Sequence, residues 1–95
     1  MPKTTLSVKP TRRQYEAMTM FALGFQAKEI AMELGLIPKT VRNHIETSAN
    51  RFRIYKGNKV GMRSLCLSQN WIEYRIKPYD EIEPIPMEDL MKINF

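Results

Sequence analysis

Lys39, Arg42, Asn43 and Glu46 recur at three- and four-residue spacing in this 95-residue chain, so on a helix they share one face. Their chemistry is recognition rather than turnover: such side chains suit phosphates and base edges. Glu46 is acidic, so it would accept from a cytosine amino group and repel phosphates. No catalytic constellation competes. The chain has no glycine-rich phosphate loop, no Ser or Cys nucleophile with a nearby base, and no paired carboxylates on one expected helix face. His44 is the only histidine and Cys66 the only cysteine. With no second ligand at metal spacing, His44 reads as a packing or hydrogen-bonding residue. A single cysteine excludes an internal disulfide framework and a multi-cysteine zinc site. No cofactor or metal is expected. The residues point to a protein that reads duplex DNA.

A helix-turn-helix would hold that face in place. Ile30 and Leu34 fill the inner side of a helix over 27–34, and Ala31 is small enough for a steep crossing. Gly35 supplies the left-handed turn residue. Pro38 opens the next helix, where a missing N–H costs nothing. That helix runs over 38–52 and should bury Val41, Ile45, Ala49 or Ser48, and Phe52. Ahead of the pair, Thr11 and Gln14 form a capping box. Tyr15, Met18, Phe21, Ala22 and Phe25 then mark an amphipathic helix ending near Gly24. Gly57-Asn58 breaks the pattern, and Asn58 would cap a fourth helix to about Gln69. Gly61, Ser64 and Cys66 keep it slender, Val60, Leu67 and Trp71 give it an apolar stripe, and Asn70 is its expected C-cap.

Charge divides the chain. Residues 1–72 hold 12 Lys/Arg against 4 Asp/Glu, whereas residues 73–95 hold 3 against 6. The basic body suits a polyanion. A membrane-surface helix is the rival, but no Lys/Arg-rich run carries Trp or Phe on its opposite face. Neither a signal peptide nor a long apolar run is present, so the expected location is cytoplasmic. After Glu73 the prolines at 78, 84 and 86 exclude a long helix. Residues 73–77 alternate like a short strand, and 87–93 should form one or two helical turns. Three segments result: a basic arm over 1–10, a helical DNA-binding domain over 11–72, and a C-terminal extension over 73–95. The extension interleaves its acids with apolar residues, so it should pack on the helical body or its dimer mate through Tyr79, Ile82, Ile85 and Leu90, the competing expectation being a free tail that recruits a partner. The Met residues read as gap-fillers, and Tyr74, Tyr79 and Phe95 as covers for apolar surface.

The run Lys28-Glu29-Ile30-Ala31, then Leu34-Gly35, then Lys39-Thr40-Val41-Arg42-Asn43-His44 resembles the LuxR/GerE-type DNA-binding domain of bacterial transcription regulators. Ala22-x-Gly24 is similar to the end of that family's first helix. The resemblance covers about residues 10–72 and implies an all-α, four-helix domain. Its third helix would enter the major groove, and its fourth would pair with a second copy. By position, Arg42, Asn43 and Glu46 would face bases, while Lys28, Lys39, Thr40 and Arg51 would sit near phosphates. Val60, Ser64, Leu67 and Trp71 would lie at the dimer interface, with Trp71 assigned to the seam over the core. The chain departs from the family pattern at four places. Ile37 stands where Ser usually caps the third helix, Ala27 replaces Asn, Ser48 occupies a usually apolar core position, and Glu46 is acidic where a lysine or a neutral residue often sits. With only ten residues ahead of the domain, a stand-alone regulator without a sensory domain is expected.

The reading is therefore a homodimeric, sequence-specific transcription regulator of bacterial, phage or plasmid type, with double-stranded DNA as partner. RNA polymerase or another regulator is a further candidate partner. Two alternatives remain: a module like region four of a sigma factor, docked on polymerase at promoters, and an adaptor that grips a protein through the tail.

Overall fold

The computed structural model describes residues 7–54 and 58–92. In chain order these form β1 (Ser7–Val8), α1 (Arg12–Ala22), α2 (Ala27–Leu34), α3 (Pro38–Arg51), α4 (Lys59–Ser68), a 3-10 turn (Tyr79–Glu81), β2 (Ile85–Pro86) and α5 (Met87–Lys92). The fold is all-α in class. Among the described residues, a two-stranded ribbon pairs β1 with β2 antiparallel, Ser7 against Pro86 and Val8 against Ile85.

α1 is the central strut, packed against both α3 and α4, while α2 packs on α3. Its start follows the capping box: the Gln14 N–H donates to the Thr11 hydroxyl at 3.2 Å, and the Thr11 N–H to the Gln14 amide at 3.0 Å. Tyr15, Met18 and Ala22 are buried as the spacing requires, joined by Ala17 and Thr19, and the Thr19 hydroxyl donates to the Tyr15 carbonyl at 2.7 Å. Phe25 departs from expectation. The helix ends at Ala22, and the left-handed Gly24 turns the chain outward, leaving Phe25 exposed.

α4 begins as anticipated, with the Asn58 side chain accepting from the Val60 N–H at 2.8 Å. It turns Gly61, Met62, Leu65 and Cys66 to the core and leaves Val60 and Leu67 on the outside. Trp71 does not continue that outer stripe, and its assignment to the dimer seam is corrected. The helix stops at Ser68, so the periodicity cannot be extrapolated to residue 71. Asn70 then takes a left-handed conformation one position past the Gln69 cap and swings Trp71 inward. There its ring meets Tyr15 and Phe52 edge-on, at 5.3 and 5.9 Å between centroids. Trp71 is core.

Residues 73–77 are not a strand. A single bridge joins Ile72 to Ile76 around a tight turn whose tip, Tyr74, is 97% exposed, so Tyr74 covers nothing. The chain then docks. The Tyr15 hydroxyl donates to the Lys77 carbonyl, the Tyr79 hydroxyl to the Pro10 carbonyl, and Ile82, Ile85 and Leu90 are all buried. Val8 and Pro10 are buried in the same body, so residues 7–10 are not a separate arm. Residues 1–6 of the expected arm, the break at Gly57, and Ile93 and Phe95 at the chain end lie outside the described residues.

Candidate nucleic-acid interface

α3 is amphipathic in three dimensions. Val41, Ile45, Ser48 and Ala49 are buried, and Phe52 at its C-cap is fully so. Lys39, Arg42, Asn43, Glu46 and Arg51 are exposed, with Thr40 half-buried at the edge. Thus the α3 members of the expected set lie on one solvent-facing side of that helix, while Lys28, also exposed, stands on α2. Exposed Thr47 and Asn50 continue it, at i+4 and i+7 from Asn43. The spacing alone would have found them, and the sequence reading overlooked them.

The start of α3 bears out the loss of the family's serine cap. Ile37 is the N-cap and makes no side-chain bond, and Pro38 occupies the first turn. The Thr40 and Val41 N–H groups turn back to the Ile37 carbonyl at 3.0 and 3.2 Å. Lys39 stands in this first turn, where the helix dipole already favours an anion. Lys28 holds the equivalent place at the start of α2, whose end is closed by the Gln26 N–H donating to the Glu29 carboxylate at 2.8 Å. Ser48 compensates for its polarity by donating its hydroxyl to the His44 carbonyl at 2.6 Å. That bond accounts for a serine with no exposure in the α3 core.

Among the described residues the ion pairs are Arg12–Asp80 at 3.0 Å and Arg13–Glu16 at 3.8 Å, both on or beside α1. Lys28, Lys39, Arg42 and Arg51 take part in neither, so among the described residues their charge is not spent on a carboxylate. One of the tail's acids, Asp80, is held by Arg12, and Lys9 and Arg12 lie over the neighbouring Tyr79 ring at 4.8 and 4.9 Å. Among the described residues, no group of His, Cys, Asp or Glu is placed to hold a metal ion. No helix among them is long and apolar enough to cross a membrane.

A short helix, a left-handed turn and a second helix with an exposed basic and amide face define a helix-turn-helix DNA-binding regulator. The family model for GerE, described as bacterial regulatory proteins of the luxR family, matches residues 10–57, half of the chain, and the chain belongs to that family. The matched span takes in α1 to α3 and ends before α4. No curated protein and no solved structure gives a match.

Proposed function

We propose that the protein is a homodimeric transcription regulator of the cytoplasm that lays α3 in the major groove. Arg42, Asn43 and Glu46 read base edges, and Lys28, Lys39, Thr40 and Arg51 fix the register on phosphates. The observation that carries this reading is the exposed α3 face, whose cations are in no ion pair among the described residues. Fluorescence anisotropy on a selected duplex tests it. Arg42→Ala should lose about 1–3 kcal/mol of specific binding and relax preference at one base pair. Lys39→Ala should weaken all sequences alike and flatten the salt slope by about one unit. Equal losses on specific and random DNA from both variants would exclude direct readout by α3.

The dimer seam is the outer face of α4, without Trp71. Val60, Ser64 and Leu67 fall at i, i+4 and i+7, with Val60 72% and Leu67 48% exposed. Two copies joined there would favour half-sites about one helical turn apart. Leu67→Glu should yield monomers and hurt full-site affinity far more than half-site affinity. A wild-type monomer in sedimentation at tens of micromolar would sink this arrangement.

A further inference from the structure

We propose that the cleft between α1, α2 and the 72–76 turn docks a basic, apolar-anchored segment of another protein. The cleft measures about 660 Å³ and is lined by Met20, Phe25, Met32 and Ile76, with Glu29 and Glu33 at its rim. Phe25 is 43% and Met32 84% exposed, so the apolar lining is left open on the monomer. Open apolar side chains rimmed by charged ones offer a seat for a partner's apolar anchor, and unbranched methionines adapt to the side chain they receive.

Charge selects the occupant. Glu29 and Glu33 stand one helical turn apart on the same flank of α2, so, contrary to the expectation from the sequence, two carboxylates do share a helix face. One Glu29 oxygen takes the Gln26 N–H, and neither carboxylate is in an ion pair among the described residues. Residues 1–72 contain only four acids, and two of them stand on this rim. Such a rim repels phosphates and attracts Lys or Arg, so duplex DNA does not fit and a cationic segment does. Lys28 lies one turn before Met32, on the side of it away from the two glutamates and about 100° around the helix from Glu29, so the phosphate-facing flank borders the cleft away from its acid rim. The arrangement matches helix-in-groove recognition, with an apolar anchor in the cleft and basic residues against the two glutamates.

A second copy is the nearest competing occupant, because α4 carries Lys59 and Arg63 beside Val60 and Leu67. Joining α4 of one copy to the cleft of the next pairs unlike surfaces, however, which leads to rings or open chains rather than a closed pair, and it competes for the α4 face assigned to the two-fold seam. A different protein avoids that outcome.

The test uses the full chain and two short amphipathic peptides, one with Leu anchors flanked by Arg, the other with Glu in place of every Arg. Binding is followed by the methyl NMR signals of Met20, Met32 and Ile76. The Arg peptide should shift all three saturably and the Glu twin should not. Glu33→Lys should weaken the Arg peptide about threefold to tenfold and strengthen the Glu twin. Met32→Ala, at an exposed position that leaves the fold intact, should weaken the Arg peptide as well. Equal response to both peptides, or to neither, overturns the proposal. So do shifts that grow with protein concentration alone, which assign the cleft to a second copy, or displacement of the peptide by duplex DNA. Arg42→Ala should leave peptide binding unchanged, which separates this test from that of the DNA reading.

Discussion

The Cys66 thiol has no solvent exposure, and burial pushes it up from the ordinary 9.0 to about 12. Burial also raises the Tyr15 phenol, with Cys66 and Glu81 adding to the shift. Both groups are neutral when protonated, and both hold their protons more tightly folded than unfolded. The stability this confers is therefore complete below the unfolded-state values and is lost as pH rises through them toward the folded ones. Thermal stability should be flat across neutral pH and fall above about pH 9, by up to about 1.4 kcal/mol per pH unit for each group engaged. Cys66→Ala should flatten the first part of that fall, whatever it does to stability at pH 7. Melting curves from neutral pH to about pH 10.5 measure it, since Cys66 enters the titration before Tyr15. An unchanged slope in the variant would mean that the thiol titrates alike in both states. Thiol reagents should find Cys66 only when the domain opens.

Four helices end by one device. After α1, α2, α3 and α4 a single residue turns left-handed: Gly24 at φ +106°, Gly35 at +68°, Arg53 at +59° and Asn70 at +59°. The next N–H then reaches back to the last turn, Phe25 to Met20 at 3.1 Å, Leu36 to Ala31 at 2.8 Å, Ile54 to Ala49 at 2.7 Å and Trp71 to Cys66 at 2.9 Å. A Cβ at Gly35 would meet nothing within 4 Å, so the cost of Gly35→Ala is backbone strain alone, about 1–2 kcal/mol. Arg53 already bears that strain, so Arg53→Gly should be neutral or gain up to about 1 kcal/mol. Urea denaturation of both variants checks the pair, and a clear loss on Arg53→Gly would give the arginine side chain a role of its own. This device also separates what was legible from what was not. The glycines and Asn70 announce their turns by residue type, and with them the bounds of α1, α2 and α4. Arg53 carries no such mark. The turn at Asn70 was visible, yet its consequence, reversal of Trp71 into the core, depends on Tyr15 and Phe52, far away in sequence. Residues 73–77 failed for a similar reason, because alternation cannot distinguish a strand from a tight turn that has no partner strand to pair with. The exposed face of α3 was legible since one helix period fixes it, and Thr47 and Asn50 needed only the same period carried further.

At the scale of the whole molecule, the last residues complete the core rather than decorate it. β2 pairs with β1, so the two ends of the described chain meet in one ribbon, and Ile82, Ile85 and Leu90 bring three buried aliphatic side chains to the body. Each such burial contributes about 1.5–3 kcal/mol, against a total of about 5–15 kcal/mol for a domain. Removal of residues 78–95 should therefore leave the chain unfolded or melting far lower, because Val8, Pro10 and Tyr15 lose the surface that covers them. Ile85→Ala, a milder cut, should cost about 2–5 kcal/mol while leaving the α3 face untouched. The exposed Arg12–Asp80 pair adds little to this docking, so Asp80→Asn should be close to neutral in stability. Deletion also removes five acids and one lysine, which raises the net charge from +5 to +9. Any truncated protein that still folds at low temperature should bind DNA non-specifically more tightly at low salt, and with a steeper salt dependence. Calorimetry and anisotropy on the same preparations distinguish the two effects. A truncated chain with an unaltered melting curve would show that the docked tail is dispensable to the fold, and the cores of α1 and α4 would then have to be stable without it.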